Sequence, residues 1–331
     1  MSVVRPVFGW EVSSGERGQV QRACRILVAT TAELLEPGQA DVWDSGRLMT
    51  PQSAFVAYKG KRLDPGRVHY WRVGVWGKKA RTPVWSETAR FTTELAGPEN
   101  WSGARWIGFE ELPEPMKVVP GVHGSGDELG ERGVKRAVVP AFRKAFDVSN
   151  EVVARALVFV SGLGHCELRL NGRAVGDAFL APGWTDYRKT CLYNTYDVTA
   201  LLEPGRNAIG AVVGPGFFNV NRERYRKLVI AYGFPMLIAK LDILYASGRR
   251  ETIVSGPDWK TAPSPVTFAS IYGGEDYDAR LEQPGWDAAG FDDSSWREAL
   301  VVAGPGGRLE PERDVPLKVM DKIDVKTVSE P

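Results

Sequence analysis

No stretch of about a dozen residues in this chain keeps a clean helical period, the length at which helix and strand patterns separate. Short runs with a period of two occur instead, bounded by Gly, Pro and Asn. In ACRILVAT, Cys24, Ile26 and Val28 share one face. In RVHYWRVGVW, Trp71, Val73 and Val75 oppose Tyr70, Arg72 and Trp76. In RALVFVSGL, Ala156, Val158 and Val160 oppose Leu157, Phe159 and Ser161. The following HCELRL ends at Asn171-Gly172, a pair suited to a two-residue hairpin loop because both positions need positive φ. Pro204-Gly205 and Ser247-Gly248 mark two more turns. Such a chain is patterned for antiparallel sheets packed face to face, so an all-β fold of sandwiches is expected.

The spacing of the runs divides the chain. Residues 1–96 suit a fibronectin type III or immunoglobulin-like sandwich. Residues 97–140 have a different texture. From Glu110 to Pro140 there is no aromatic residue, and Gly recurs in HGSGDELGERGVKR, so a linker with a Gly-rich insertion is expected. No strand pattern is read before those glycines and no helix pattern after them, so a phosphate cradle is not expected. Residues 141–303 suit a jelly-roll sandwich of the carbohydrate-binding-module type. Residues 304–331 hold one short alternation, VPLKVM, and read as the start of a further β-domain whose strand partners lie elsewhere.

Composition excludes several classes. The net charge is +1, from 42 basic and 41 acidic residues, and no basic run is interleaved with aromatics, so a nucleic-acid partner is not expected. No apolar run is long enough for a membrane span and no apolar h-region follows Met1, so a cytoplasmic location is expected. Three cysteines and three histidines without ligand spacing give no zinc site, and Cys166, alternating with Leu168 and Leu170, is expected to be a buried strand position. The 11 Trp are the unusual feature. In loops beside Gly, Pro and Asp they suit either sugar stacking or plugging between loops.

YGGEDYDARLEQPGW concentrates charge at Glu275, Asp276, Asp278, Arg280 and Glu282. Paired carboxylates do the work in most glycosidases, and an inverting pair stands about 6.5–9.5 Å apart across a cleft. On a strand, however, Asp276 and Asp278 share one face and Arg280 continues it. Such neighbours point the same way and cannot flank a bond. A charge-compensated structural row is expected here, and no catalytic residue.

GHCELRLNGRAVGDAFLAPGWTDYRKTCLYNTYDVTALLEPGRNAIGAVVGPGFF and IYGGEDYDARLEQPGWDAAGFDDSSW resemble the amino-terminal sandwich of α-L-rhamnosidases, glycoside hydrolase family 78. FGWEVSSGERGQVQRACRILVAT, VWDSGRL and YWRVGVW resemble the fibronectin-like domain that precedes it. The resemblance covers nearly all of residues 6–300. It implies the front portion of an enzyme that removes terminal α-L-rhamnose by an inverting mechanism. The acid and base of that family sit in an (α/α)6 barrel further along the polypeptide, which becomes the implied partner, with Glu275, Asp276, Asp278 and Arg280 as docking or structural residues. L-Rhamnose-containing glycans are the implied ligand. Asp177, Trp184, Asp186 and Tyr187 in GDAFLAPGWTDYRK offer carboxylates for sugar hydroxyls and an aromatic face for the ring. Some members of the family bind L-rhamnose with calcium, which takes six to eight oxygens, and Asp177 could supply one. Those members carry Asp-Asn where this chain has Asp177-Ala178. No other cofactor is implied. GPGFFNVNRERYRK, with Arg222, Arg224 and Arg226, suits either a barrel-facing or a solvated loop. A free-standing lectin-like module and a scaffold that binds nothing are the alternatives.

Overall fold

The alternation in ACRILVAT becomes the strand Ala23–Ala29, hydrogen-bonded between Trp43–Asp44 and Val68–Trp76. The computed structural model describes residues 1, 6–78, 80–124, 126–224, 227–327 and 329. It divides into two units, Met1–Asn100 and Trp101–Pro331. In the first, Cys24, Ile26 and Val28 pack with Phe8, Val56 and Val73. Leu27 and Ala29, on the other face, pack with Leu35. Phe8 is the hub, its ring 4.8 Å from that of Trp71 and 6.2 Å from that of Trp43.

Across the Ala23–Ala29 edge, Arg25 Nε donates to Asp44 Oδ1 at 2.8 Å, and a second guanidinium nitrogen pairs with Oδ2. That hydrogen bonding holds the Asp44 carboxyl below the ordinary carboxylate range. A depressed carboxyl stabilises the fold above its unfolded pKa, about 3.9 for Asp, and the contribution is lost as pH falls through the folded value. Asp44→Asn should therefore lower stability at neutral pH, and the gap to the parent should shrink as acid brings the parent carboxyl through its depressed folded pKa. Thermal unfolding of both proteins across pH checks this; a gap of equal size at both ends would overturn it.

The second unit is a sandwich of two sheets. One runs Arg173–Ala174, His165–Leu170, Gly205–Gly214, Pro140–Val148, Lys260–Pro263, Arg297–Glu298. The other runs Leu300–Val301, Ile107–Gly108, Met236–Tyr245, Val153–Leu163, Thr190–Asp197, Arg308–Pro311, with Arg250–Val254 also on Met236–Tyr245. Ala156, Val158 and Val160 meet Phe142, Leu168 and Ile209 between the sheets, with Trp259 closing the core at 1% exposure. The opposite face of Val153–Leu163 is buried as well. Phe159 sits 6.3 Å from Tyr193, which meets Trp101 edge-on at 5.2 Å. Asn171 and Gly172 have φ of 49° and 77°, the conformation the hairpin loop between Leu170 and Arg173 requires.

Two expectations about organisation need correction. The segment 97–140 is more than a linker. Its Ile107–Gly108 pairs with Met236–Leu237 and with Leu300–Val301 in the main sheet. Its Val118–His123 pairs with Leu228–Ala231 in a small three-stranded sheet. The first strand is two residues long and the second is interrupted by Pro120-Gly121, so neither shows a period. Within residues 304–331, Arg308–Pro311 lies parallel to Thr190–Tyr193 and belongs to the second unit rather than to a further domain. Its partner is over a hundred residues upstream, beyond the reach of local pattern.

Candidate functional site

The acidic segment does not make the single row its spacing suggests. The strand Gly274–Tyr277 ends before Asp278, which caps a 3-10 turn at Ala279–Leu281 by accepting from the Arg280 backbone N–H. Strand geometry therefore carries Asp276 but neither Asp278 nor Arg280, and the two carboxylates go separate ways. Asp276 takes the Arg224 guanidinium on both oxygens, one contact at 2.9 Å. Asp278 takes Arg280 at 2.8 and 2.6 Å. Both carboxyls are held below the ordinary range by these hydrogen bonds. A general acid needs the opposite shift, so neither is suited to give a proton near neutral pH. Glu275 is exposed and lines a cleft described below.

The loop from Asp177 to Tyr187 splits as well. Tyr187 is 1% exposed and lies edge-on to Phe218 at 5.2 Å and to Tyr232 at 5.1 Å. It is a core residue and cannot touch a sugar, which corrects its expected role. Trp184 is the opposite case. Its indole is 60% exposed and stacks on Phe217 with centroids 4.5 Å apart, which supports one face and leaves the other open. Asp186 lies at the base of this loop. Its carbonyl accepts from Lys189 and Thr190 N–H, and its carboxylate pairs with Arg188 at 3.1 Å. Trp184, Asp186, Arg188, Tyr232 and Pro120 line a recess of about 370 Å³.

Asp177 lines a different hollow, of about 920 Å³. The structure thus does not bring Asp177 and Trp184 into one cavity. Asp177 is held by Lys318 at 2.7 Å, the tail having crossed over the loop. Leu317 C=O accepts from Phe179 N–H at 2.8 Å. Glu312 accepts from Gly183 N–H at 2.7 Å and from Asn194 Nδ2 at 2.5 Å. Among the described residues no group of three or more His, Cys, Asp or Glu could hold a metal. With its one carboxylate already paired to an ammonium, the Asp177 corner does not fit calcium. Cys166 lines the same hollow, and burial pushes its thiol up to about 12, so it is inert as a nucleophile near neutral pH.

Several contributors have no local signature. Phe217, which supports Trp184, and Lys318, which holds Asp177, come from distant segments. In the arginine-rich loop, Arg222 pairs with Asp127 at 2.7 Å and Arg224 stacks over Phe268 at 4.0 Å. Arg226 lies outside the described residues.

Residues 151–321 match the family model described as the alpha-L-rhamnosidase N-terminal domain. Residues 1–97 match the Rha78A-like, N-terminal immunoglobulin domain. The chain is 34% identical to an alpha-L-rhamnosidase of Formosa agariphila over 302 residues, covering 90% of this chain and 32% of that protein. It is 32% identical to one from Alteromonas sp. (strain LOR) over 323 residues, covering 96% of this chain and 33% of the relative. The solved alpha-L-rhamnosidase from Dictyoglumus thermophilum superposes with a TM-score of 0.81 at 35% identity, covering 96% of this chain and 34% of that one. The chain therefore spans about a third of the length of these relatives.

Proposed function

Since the chain belongs to the α-L-rhamnosidase family, of which it carries the amino-terminal domains, we propose that it serves as the non-catalytic front portion of an enzyme that removes terminal α-L-rhamnose from glycosides or polysaccharides by an inverting mechanism. The partner that completes the enzyme is the catalytic barrel of the same polypeptide. The carrying observation is electrostatic. The two carboxylates that could have formed a dyad, Asp276 and Asp278, are each consumed by an arginine. The purified chain is expected not to hydrolyse an aryl α-L-rhamnoside. Turnover that survives purification and disappears on Asp276→Asn would overturn this.

The second unit contributes weak contact with the rhamnose-bearing glycan, and Trp184 makes that contact. A surface sugar gains only about 0.5–1.5 kcal/mol net per hydrogen bond. Apolar ring surface laid on an indole adds about 25 cal/mol per Å². Against the cost of association this leaves a Kd of about a millimolar. Trp184→Ala is expected to abolish detectable L-rhamnose binding by calorimetry or NMR. Because the indole is largely exposed, the melting temperature should fall by less than about 3 °C. Unchanged affinity would remove Trp184 from the reading; a fall of many degrees would make the ring a structural plug.

A further inference from the structure

The loop that carries Trp184 is gripped by the segment that follows Gly306. Gly307 N–H donates to Tyr187 C=O and Arg308 N–H to Lys189 C=O, both at 2.9 Å. The strand Arg308–Pro311 then runs parallel to Thr190–Tyr193. Glu312 follows at once, its own N–H donating to Tyr193 C=O at 2.9 Å. Its side chain is thereby mounted at the end of a sheet strand, and groups borne on strands are placed more precisely than groups borne on loops. From there the half-buried carboxylate turns back on the Trp184 loop. One oxygen accepts from Gly183 N–H at 2.7 Å, and the other from Asn194 Nδ2 at 2.5 Å. The approach is close: a Cβ built on Gly183 would come within 2.8 Å of the accepting oxygen. The peptide so held is the one that immediately precedes Trp184.

Other contacts on the loop act elsewhere. The stack on Phe217 steadies the indole but not the backbone that aims it. Lys318 and Asp177 are both exposed, and exposed ion pairs contribute little and are screened by salt. Phe179 N–H on Leu317 C=O braces Leu180, whose φ of 53° is left-handed and depends on its surroundings. Between that brace and Gly183, Ala181 C=O accepts from Cys166 N–H at 2.8 Å, so a disturbance at Asp177 or Phe179 stops there. The charge-assisted bond from Glu312 is the stronger kind, and it is the last fixed point before the indole. Without it Gly183 has the widest backbone freedom of any residue, and Trp184 would swing with it.

We propose that Glu312 is the positioning residue of the Trp184 loop, setting the direction of the indole and hence its contact with a glycan. This rests on the reading of Trp184 as the contact ring. It extends that reading to a residue 129 positions from Gly183 that itself touches no sugar.

The test compares variants of the full 331-residue chain, isotope-labelled. It follows amide exchange at Gly183 and Trp184, relaxation of the Trp184 indole N–H, and titration with L-rhamnose. Glu312→Ala should speed exchange at the two amides by about tenfold or more and loosen the indole. The Kd for L-rhamnose should rise about fivefold or more, since binding must then order the loop as well. Glu312→Gln keeps an oxygen for Gly183 N–H, and the Asn194 amide can turn to accept, so all three readouts should return to within about twofold of the parent. Glu312→Asp keeps the charge but is one methylene shorter, and should behave as Glu312→Ala does. It carries the test if the alanine variant does not fold. Lys318→Ala should leave Trp184 as it is. An indole as ordered in Glu312→Ala and Glu312→Asp as in the parent overturns the proposal, whatever the sugar does. So does loosening of equal size in Lys318→Ala, failure of Glu312→Gln to restore order, or a freed loop with the parental Kd. A parent that binds no L-rhamnose removes the Trp184 contact; loosening in Glu312→Ala that Glu312→Gln reverses then still supports the positioning role.

Discussion

Asp293→Ala is expected to destabilise the second unit by about 3 kcal/mol, near the low end of what breaking a buried ion pair costs. Arg143 is the reason. Its side chain is 1% exposed in the strand Pro140–Val148, yet carries a full charge. It donates to Trp286 C=O at 2.8 Å and to Ala288 C=O at 3.1 Å, and pairs with Asp293. Burial already pushes the guanidinium below its ordinary pKa. Removing the carboxylate leaves that cation in a dry site, with two neutral carbonyls, the Phe291 ring and the more distant attraction of Asp287 in place of its direct ion pair. Adding Arg143→Met should recover at least half of the loss, because the unpaired charge goes with it. Urea unfolding followed by tryptophan fluorescence reads both variants. A single variant within 1 kcal/mol of the parent, on the order of experimental error in such extrapolations, would show that water reaches Arg143.

Tyr187→Ala should cost a comparable amount, about 3–5 kcal/mol, from lost burial and the cavity left behind. The ring lies between Phe218 and Tyr232, in a cluster that also includes Leu163 and Cys191, and none of these can collapse into the gap without moving a strand. Trp184→Ala, three residues earlier, should cost well under 1 kcal/mol by the ordinary measure of exposed sites. The contrast is the sharp part of the prediction. Equal losses at the two positions would mean that the loop from Ala181 to Tyr187 folds as one unit with the core. A Tyr187→Ala protein with parental stability would place the ring elsewhere.

How much of this was legible in the sequence follows from the range over which each feature is determined. Cys24, Ile26 and Val28 announce their shared face because strand alternation is local, and all three are fully buried. Asn171-Gly172 announces its turn because the backbone there demands positive φ at both residues. Trp184 and Tyr187 looked alike, two aromatics in one polar loop. Only the arrival of Phe217, Phe218 and Tyr232 from elsewhere decides that one is a surface and the other a core. Alternation puts Asp276 and Asp278 in one row only for a strand that runs on past Tyr277; this strand ends there, and the 3-10 turn at Ala279 breaks the alternation. Asp177 gained its partner from Lys318, a residue that nothing near it foretells. The fold, in short range, is written plainly. The site is assembled from long-range meetings, and these leave no local period.

The strand Arg308–Pro311 has a consequence for how the molecule comes into being. It completes a sheet edge begun by Thr190–Asp197, so that edge stands bare while the intervening chain is being synthesised. An uncovered edge is a template for pairing with other chains. Contacts of such sequence separation also form late, because loop closure must precede them. A nascent chain stopped near residue 303 would hold the whole inter-sheet core yet present that open edge to its neighbours. Ribosome-stalled or truncated products should therefore aggregate through it, and a chaperone binding Thr190–Asp197 would be guarding the last seam to close.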